Sequence, residues 1–391
     1  MISSRSADEK EEDYERRCVE HEMSEVFRPR TPVPTLDLSG PIAAYQLYIP
    51  RLDMWICLFG DAHESVANMC ADVNSVHIAS YILSAINNNI SDHTVDVFVE
   101  AGYEYHDRYK YASQEDDRTF DTSAFLKYGP QGQYGNVGDT KYPLDSIIHM
   151  LHECGFNADK SKCMDTEDEA RVHFTDARAI TYHKWVPQRF ADYVRLRGTI
   201  SMIEYTEYIY KLARRLVKTD PKLRKQLDAI PDPRLRSYLK RQTKTNIDRA
   251  YQSVKLAYML SDDIRSTITD RKRIRNLKIA MHRQGGSILA PLVDLYSLCR
   301  MFRAFDSDDH PRCNRIIGYF GQTHVENMVE IIKHCPCFHT SLVYAQAPTE
   351  QESNSIRRLK NIDTEIETHS RCIPFPESPW PEHLACTHAR R

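Results

Sequence analysis

The chain has 391 residues, of which 41% are hydrophobic and 27% are charged. This composition is typical of a globular protein and excludes collagen-like, low-complexity and wholly disordered chains. The 52 Lys and Arg residues nearly balance the 55 Asp and Glu residues, giving a formal net charge of −3, which excludes a protein that is basic throughout and coats nucleic acid.

The two ends of the chain differ in composition from its middle. Residues 1–40 are polar and then rich in proline, which predicts a disordered or extended arm, and residues 350–391 are predicted to be a loosely attached Pro-rich tail. Between them, 41–185 and 306–349 are predicted to be two parts of one α/β domain, interrupted by a helical insertion at 186–305. No window reaches about 18 consecutive apolar residues, so we expect an intracellular, cytoplasmic protein without a membrane span.

Short apolar runs recur along the chain, and each ends in small or polar residues. They lie at 54–59, 95–99, 170–174 and 315–320, with a further strand predicted at 340–345. The first run is followed by Ile78, Ile82 and Ala85, which have the spacing of one buried helix face. Short strands alternating with amphipathic helices predict an α/β fold with a mostly parallel sheet, helices on both faces and a long helical insertion.

The helical insertion contains a basic segment. Residues 211–278 hold 20 Lys and Arg residues, seven Asp and no Glu, a local net charge of +13. A solvated helix face commonly accounts for such a segment. Docking of an acidic protein partner, or binding of a polyanion through Lys and Arg, stays open as a second possibility.

The eleven cysteines are spread over the whole chain. Several of them, including Cys57, Cys154 and Cys299, belong to apolar patterns. We therefore expect reduced, buried thiols rather than a disulfide framework.

Polar residues follow the predicted strands at the points where these end. They are Asp61 and His63 after the first run, Glu100 after the second, Asp176 and Arg178 after the third, and His324 after the fourth. Ligands of an open parallel sheet bind outside the carboxyl ends of its strands, so these side chains are predicted to meet there. Imidazoles and carboxylates can hold a divalent metal with an open position for water, or a carboxylate can orient a His that deprotonates water. Arg178 would then stabilise a developing negative charge.

The same residues carry a family resemblance. The ordered set Gly60-Asp61-Ala62-His63, Glu100, Arg178 and Gly321-Gln322-Thr323-His324 resembles the motifs of the erythromycin esterase, ChaN, TraB and Tiki superfamily. The resemblance implies a hydrolase for a small-molecule or peptide substrate, with His63, Glu100 and Arg178 as catalytic residues and Asp176 nearby. It also implies His63, Glu100 and His324 as ligands of a divalent metal (Mn, Co, Zn or Fe). Asp61, where the esterase and ChaN branches usually have Glu, is expected as a further ligand. The single late His favours the TraB and Tiki pattern.

Strand-end polar residues can also have purely structural roles. Asp61 could cap the helix that follows it, and Asp176 with Arg178 could form a surface ion pair of little energetic value. The alternative to a hydrolase is a structural or interaction protein of a large assembly or virion that retains this fold without turnover.

Overall fold

The structure, a computed structural model, describes residues 35–61, 75–87, 94–100, 147, 170–175, 202–259, 271–305, 312–346 and 372–380. These residues belong to two compact units. The first unit contains the strands and two α-helices, and the second contains four α-helices that lie between two strands of the first unit in sequence.

The described residues form nine strands and six α-helices. The strands are β1 (Thr35–Ser39), β2 (Ala43–Ile49), β3 (Met54–Asp61), β4 (Val76–His77), β5 (Val95–Val99), β6 (Ala170–Phe174), β7 (Arg315–Gly321), β8 (Ser341–Gln346) and β9 (Ile373–Pro376). The helices are α1 (Ile78–Asn87), α2 (Met202–Thr219), α3 (Pro221–Asp228), α4 (Pro233–Met259), α5 (Arg271–Phe302) and α6 (Gln322–Lys333), and a 3-10 turn covers Pro50–Leu52.

The larger sheet has six strands in the order β6-β5-β7-β3-β2-β8. Strand β7 pairs in parallel with both β3 and β5, whereas β2 is antiparallel to both β3 and β8. Strands β5, β7, β3 and β8 therefore run in one direction. The predicted α/β fold with a mostly parallel sheet is confirmed.

The central strands are mostly apolar, and two of them are buried along their whole length. All eight residues of β3 and all five of β5 are buried. Parallel strands covered on both sides need such continuous apolar runs, and this is why the runs at 54–59, 95–99 and 315–320 could be recognised in the sequence. The predicted runs at 170–174 and 340–345 correspond to the edge strands β6 and β8, whose described side chains are mostly partly exposed. The predicted face of Ile78, Ile82 and Ala85 is buried on α1.

Strand β2 was not predicted. It forms a hairpin with β3 through the 3-10 turn, which ends at Asp53 in the left-handed conformation (φ 44°). Tyr48 and Trp55 are directly opposed across the two strands, and their rings stack at 4.5 Å. The turn lacks the Asn-Gly or Asp-Gly pair that identifies a tight hairpin in a sequence, so the pattern gave little indication of this pairing.

Part of the predicted loose tail is packed within the first unit. Strand β9 pairs with β1 in a three-stranded sheet of order β4-β1-β9, and Ile373 and Phe375 are fully buried. The Tyr81 hydroxyl donates to the Pro376 carbonyl over 3.1 Å, and Gln46 donates to the Pro379 carbonyl over 2.7 Å. These are contacts between distant parts of the sequence, which composition alone does not reveal.

Gly318 in β7 lies where a side chain has no room. An added Cβ would be 2.6 Å from Leu58 Cδ2 and 2.7 Å from a ring carbon of Phe320. We expect Gly318→Ala to lower the free energy of unfolding by about 1–3 kcal/mol, because the core must shift to admit the methyl group. Urea denaturation measures the change. Gly286→Ala is the matched control, since nothing lies within 4 Å of its added Cβ in helix α5, and equal losses in both variants would show that the crowding at Gly318 is not the cause.

His77 is buried and neutral, and it directly precedes helix α1. Its Nδ1 accepts a hydrogen bond from the Ala79 backbone N–H over 3.1 Å at the beginning of α1. Burial lowers the pKa of the imidazole from 6.5 to about 3. Below pH 6.5 the unfolded chain therefore takes up a proton that the folded chain refuses, so acid destabilises the fold through this group.

We expect the free energy of unfolding to fall by up to about 1.4 kcal/mol per pH unit through His77 as the pH decreases below 6.5. His77→Asn keeps a hydrogen-bond acceptor for the Ala79 N–H but does not titrate in this range. Urea denaturation of both proteins between pH 7 and pH 4 should show a shallower decline in the variant. Identical declines would show that His77 is not kept neutral by folding.

The second unit is a set of packed helices. Tyr210 of α2 stacks on Tyr251 of α4 at 4.3 Å, and Arg214 of α2 donates two hydrogen bonds to Asp248 of α4. The Asp220 carboxylate accepts from the Leu223 backbone N–H and caps α3. None of the described helices is long and apolar enough to cross a membrane.

Many Lys and Arg side chains of this helical unit are exposed. Examples are Lys211, Lys222 and Arg241, on three different helices. Exposed basic side chains are expected both on a helix face that only contacts water and on a surface that docks a partner. Binding of an acidic partner or polyanion at residues 211–278 therefore stays a prediction.

Four of the cysteines agree with the expectation of buried free thiols. Cys57, Cys299, Cys313 and Cys335 are buried and form no disulfide. Burial raises the pKa of the Cys57 and Cys299 thiols, so both are protonated at neutral pH. Cys372 is disulfide-bonded, so the expectation was wrong for this residue.

Candidate functional site

Two of the predicted site residues lie at the carboxyl edge of the central strands. Strands β3 and β7 are parallel and end together, with Asp61 directly opposite Gly321. Helix α6 begins at the next residue, Gln322, and carries His324 in its first turn. Both Asp61 and His324 are buried. The chain therefore places a carboxylate and an imidazole on adjoining elements at the edge where ligands of parallel sheets bind.

Gly60 allows helix α6 to start close to strand β3. A Cβ at this position would be 3.1 Å from Gln322 Cα and 3.1 Å from Ala43 Cβ. Contacts this short with backbone are tighter than normal packing, so a side chain at position 60 would push the start of α6 away from Asp61. Gly60 therefore has a packing role next to the Asp61 carboxylate.

Tyr319 is a third buried polar residue at this edge, and the strand-end pattern of the sequence gave no sign of it because it lies inside an apolar run. It pairs with Phe59 across the strands, two residues before the Asp61–Gly321 pair. Burial raises the pKa of its phenol well above the ordinary value, and the negative charge of Asp61 raises it further. The phenol therefore keeps its proton at neutral pH, as a donor beside a carboxylate.

The second motif has an ordered first turn. Gln322 donates a hydrogen bond from Nε2 to Glu326 Oε1 over 2.7 Å. Glu326 is thereby held on the helix by Gln322.

The remaining predicted site residues are located as follows. Glu100 directly follows β5 and is buried. His63, Asp176 and Arg178 lie outside the described residues. Their participation in a shared site stays a prediction.

A second polar cluster lies at the opposite, amino edge of the sheet. Asp96, the second residue of β5, is fully buried. Its carboxylate accepts two hydrogen bonds from Arg171, from Nε to Oδ1 and from Nη2 to Oδ2, each of 2.7 Å. His173 Nε2 lies 2.7 Å from the same Oδ1. Arg171 and His173 are two residues apart in β6 and so reach Asp96 from one face of the sheet.

Cys313 completes this cluster. It precedes β7 by two residues, and because Val95 pairs with Arg315, it lies where β5 and β7 both begin. One ligand atom each from Asp96, His173 and Cys313 lies within 4.8 Å of the others, and all three residues are buried. Among the residues that the structure describes, this is the one group of three or more potential metal ligands, and Asp61, Glu100 and His324 are not part of it.

The carboxylate of the amino-edge cluster is kept ionised by its two basic neighbours. Burial alone would raise the pKa of Asp96, but the hydrogen bonds and charges of His173 and Arg171 outweigh this and hold the pKa below its ordinary value. Asp96 is therefore ionised at neutral pH. The His173 ring stacks on Phe98 with a centroid distance of 4.4 Å and an interplanar angle of 25°, which fixes the plane of the imidazole.

The sequence carries a signal for this cluster that the strand-end pattern misses. Asp96 interrupts the run Val-Asp-Val-Phe-Val, and Arg171 and His173 interrupt Ala-Arg-Val-His-Phe. Ionisable residues inside strands that are otherwise buried must be paired, because burying an unpaired charge is costly. Because Arg171 and His173 are two positions apart in a strand, their side chains are also expected on the same face of the sheet.

No protein-family model, no curated protein and no solved structure matches this chain. A function can therefore be assigned only from the two clusters and from the resemblance of the motifs.

Proposed function

We propose that the chain is a hydrolase that activates water at the carboxyl edge of β3 and β7 and cleaves an ester or amide bond. The observation that carries the proposal is the burial of Asp61 and His324 on adjoining elements at that edge. Buried ionisable groups at the ligand-binding edge of a parallel sheet are candidates for functional residues. The resemblance to the erythromycin esterase, ChaN, TraB and Tiki motifs supports the same reaction class.

The proposed mechanism assigns a role to each residue of this edge. His324 accepts a proton from water as the water oxygen attacks the carbonyl carbon, and the imidazolium then gives that proton to the leaving oxygen or nitrogen. Asp61 favours the imidazolium electrostatically. Tyr319, kept protonated, adds no second negative charge near Asp61.

The remaining members of the predicted site would complete the reaction. Glu100 and His63 are proposed as additional groups for water activation, and Arg178 as the group that stabilises the negatively charged tetrahedral intermediate. The substrate class is a small ester or a peptide. Asp176 is proposed to orient Arg178 through an ion pair.

A divalent metal would also suit the donors proposed for this edge. Asp61 and His324 offer a buried carboxylate and a buried imidazole, which are donor types that Mn, Fe, Co and Zn accept, and Glu100 and His63 would add two more. Such an ion would supply Lewis acidity and a more acidic bound water when present. A His324 bound to the ion could not also accept the proton of water, so the metal-assisted and metal-free arrangements are alternatives that removal of metal by a chelator distinguishes.

A panel of ester and peptide substrates tests the proposed function. The purified full-length chain should release product from at least one substrate at a rate above that of buffer, and a parallel series with a chelator determines whether a metal is needed. No product from any substrate by the folded protein, together with stable copurification of a protein or polyanion, would instead favour an interaction protein of a large assembly or virion. The exposed Lys and Arg residues of α2, α3 and α4 are the surface that such a partner would contact.

A further inference from the structure

The geometry points to a second site, at the amino edge of the sheet, where we propose that Asp96, His173 and Cys313 bind one zinc ion. This site is separate from the residues proposed for hydrolysis. It uses no member of the motif set, and it lies at the other end of the parallel strands.

The donor atoms are already close to the spacing that zinc needs. Bonds of about 2.0–2.3 Å to a tetrahedral zinc ion place neighbouring donor atoms about 3.3–3.8 Å apart. The three donors lie within 4.8 Å of one another, and the separation from His173 Nε2 to Asp96 Oδ1 is 2.7 Å. Small side-chain movements, with no change of the strands, convert this arrangement into a three-ligand site whose fourth position is open for water.

The donor types select the metal. A thiolate together with an imidazole and a carboxylate suits zinc, and cobalt as its substitute, whereas magnesium and calcium prefer oxygen donors alone. On binding, the Cys313 thiol releases its proton to solvent. His173 binds through Nε2 in the neutral form that carries its proton on Nδ1.

The surroundings of the three donors would support a bound ion. Arg171 donates to both oxygens of Asp96, so Oδ2 stays hydrogen-bonded when Oδ1 contacts the metal. Phe98 holds the ring plane of His173. Two anionic ligands neutralise the charge of Zn²⁺, which lets the ion remain in a buried site beside Arg171.

Metal analysis and cobalt spectroscopy test the site on the whole chain, which is first stripped with a chelator and then dialysed. Loading with Zn²⁺ should give one more tightly held ion per wild-type chain than per Cys313→Ser chain, and loading with Co²⁺ should give the near-ultraviolet absorption of a cobalt–thiolate bond. Cys313→Ser should remove that absorption and lower zinc affinity by at least about tenfold. His173→Gln should lower the affinity similarly.

The controls are cysteines at other buried positions. Cys299→Ser and Cys335→Ser should retain both the stoichiometry and the cobalt absorption, because neither belongs to the cluster. Circular dichroism confirms that each variant is folded. Absence of cobalt–thiolate absorption in the folded wild-type protein would overturn the proposal, and so would unchanged absorption and affinity in folded Cys313→Ser.

Discussion

Asp96→Ala should lower the free energy of unfolding by about 3–5 kcal/mol, the largest stability effect that we expect from a single substitution in this chain. The substitution leaves Arg171 and His173 in a buried strand environment without the carboxylate that both contact. Arg171 retains some exposure to water, which places the expected loss toward the lower end of this range. Urea denaturation of the chelator-treated protein measures the effect without any contribution from metal.

Asp248→Ala is the matched control for this prediction. Asp248 also accepts two hydrogen bonds from an arginine, Arg214, but both side chains of this pair are substantially exposed. An exposed ion pair contributes about 0–1 kcal/mol, so this variant should unfold almost as the wild-type protein does. Losses of the same size in the two variants would contradict the claim that burial makes the Asp96 cluster important.

His324→Ala should reduce the rate of hydrolysis by about 100-fold or more, since positioned proton transfer typically contributes at least this factor. The measurement is the initial rate on the substrate that the wild-type protein cleaves fastest. His334→Ala is the control at the opposite end of the same helix, because the exposed His334 ring bonds to the Glu330 carbonyl of α6 and lies far from the carboxyl edge.

A second variant separates catalysis from folding at this position. His324→Gln is close in size to histidine and retains hydrogen-bonding capacity but cannot act as a base near neutral pH. It should be as inactive as His324→Ala while keeping the circular dichroism and melting temperature of the wild-type protein. Wild-type rates in either folded variant would exclude His324 as the base.

The elements found from the sequence are those with strong local patterns. The runs that became β3, β5, β6, β7 and β8 are short and bounded by polar or small residues, and the three central strands β3, β5 and β7 have the continuous apolar pattern that burial on both faces needs. Strand β2 was missed because its turn carries no hairpin signal, whereas β1 and β9 were missed because their pairing depends on distant partners. Phe375, for example, packs against Phe59 and Tyr81, far from it in sequence.

The two polar clusters differed in how readily the sequence indicates them. Asp61 and His324 follow apolar runs, so they could be assigned to the carboxyl edge from their position alone. Asp96, Arg171 and His173 lie inside apolar runs, where counting hydrophobic residues conceals them. Cys313 could be linked to them only through the parallel pairing of β5 with β7, which the sequence does not specify.

A comparison of Asp61→Asn with Cys313→Ala tests most directly the central claim that hydrolysis takes place at the carboxyl edge. The quantity is the initial rate per folded molecule on the substrate cleaved fastest by the wild-type protein. Asp61→Asn removes the charge at the carboxyl edge and should lower the rate by at least about tenfold, whereas Cys313→Ala alters the amino edge and should leave the rate within about twofold. A wild-type rate in Asp61→Asn, or a loss of turnover only in Cys313→Ala, would contradict this claim.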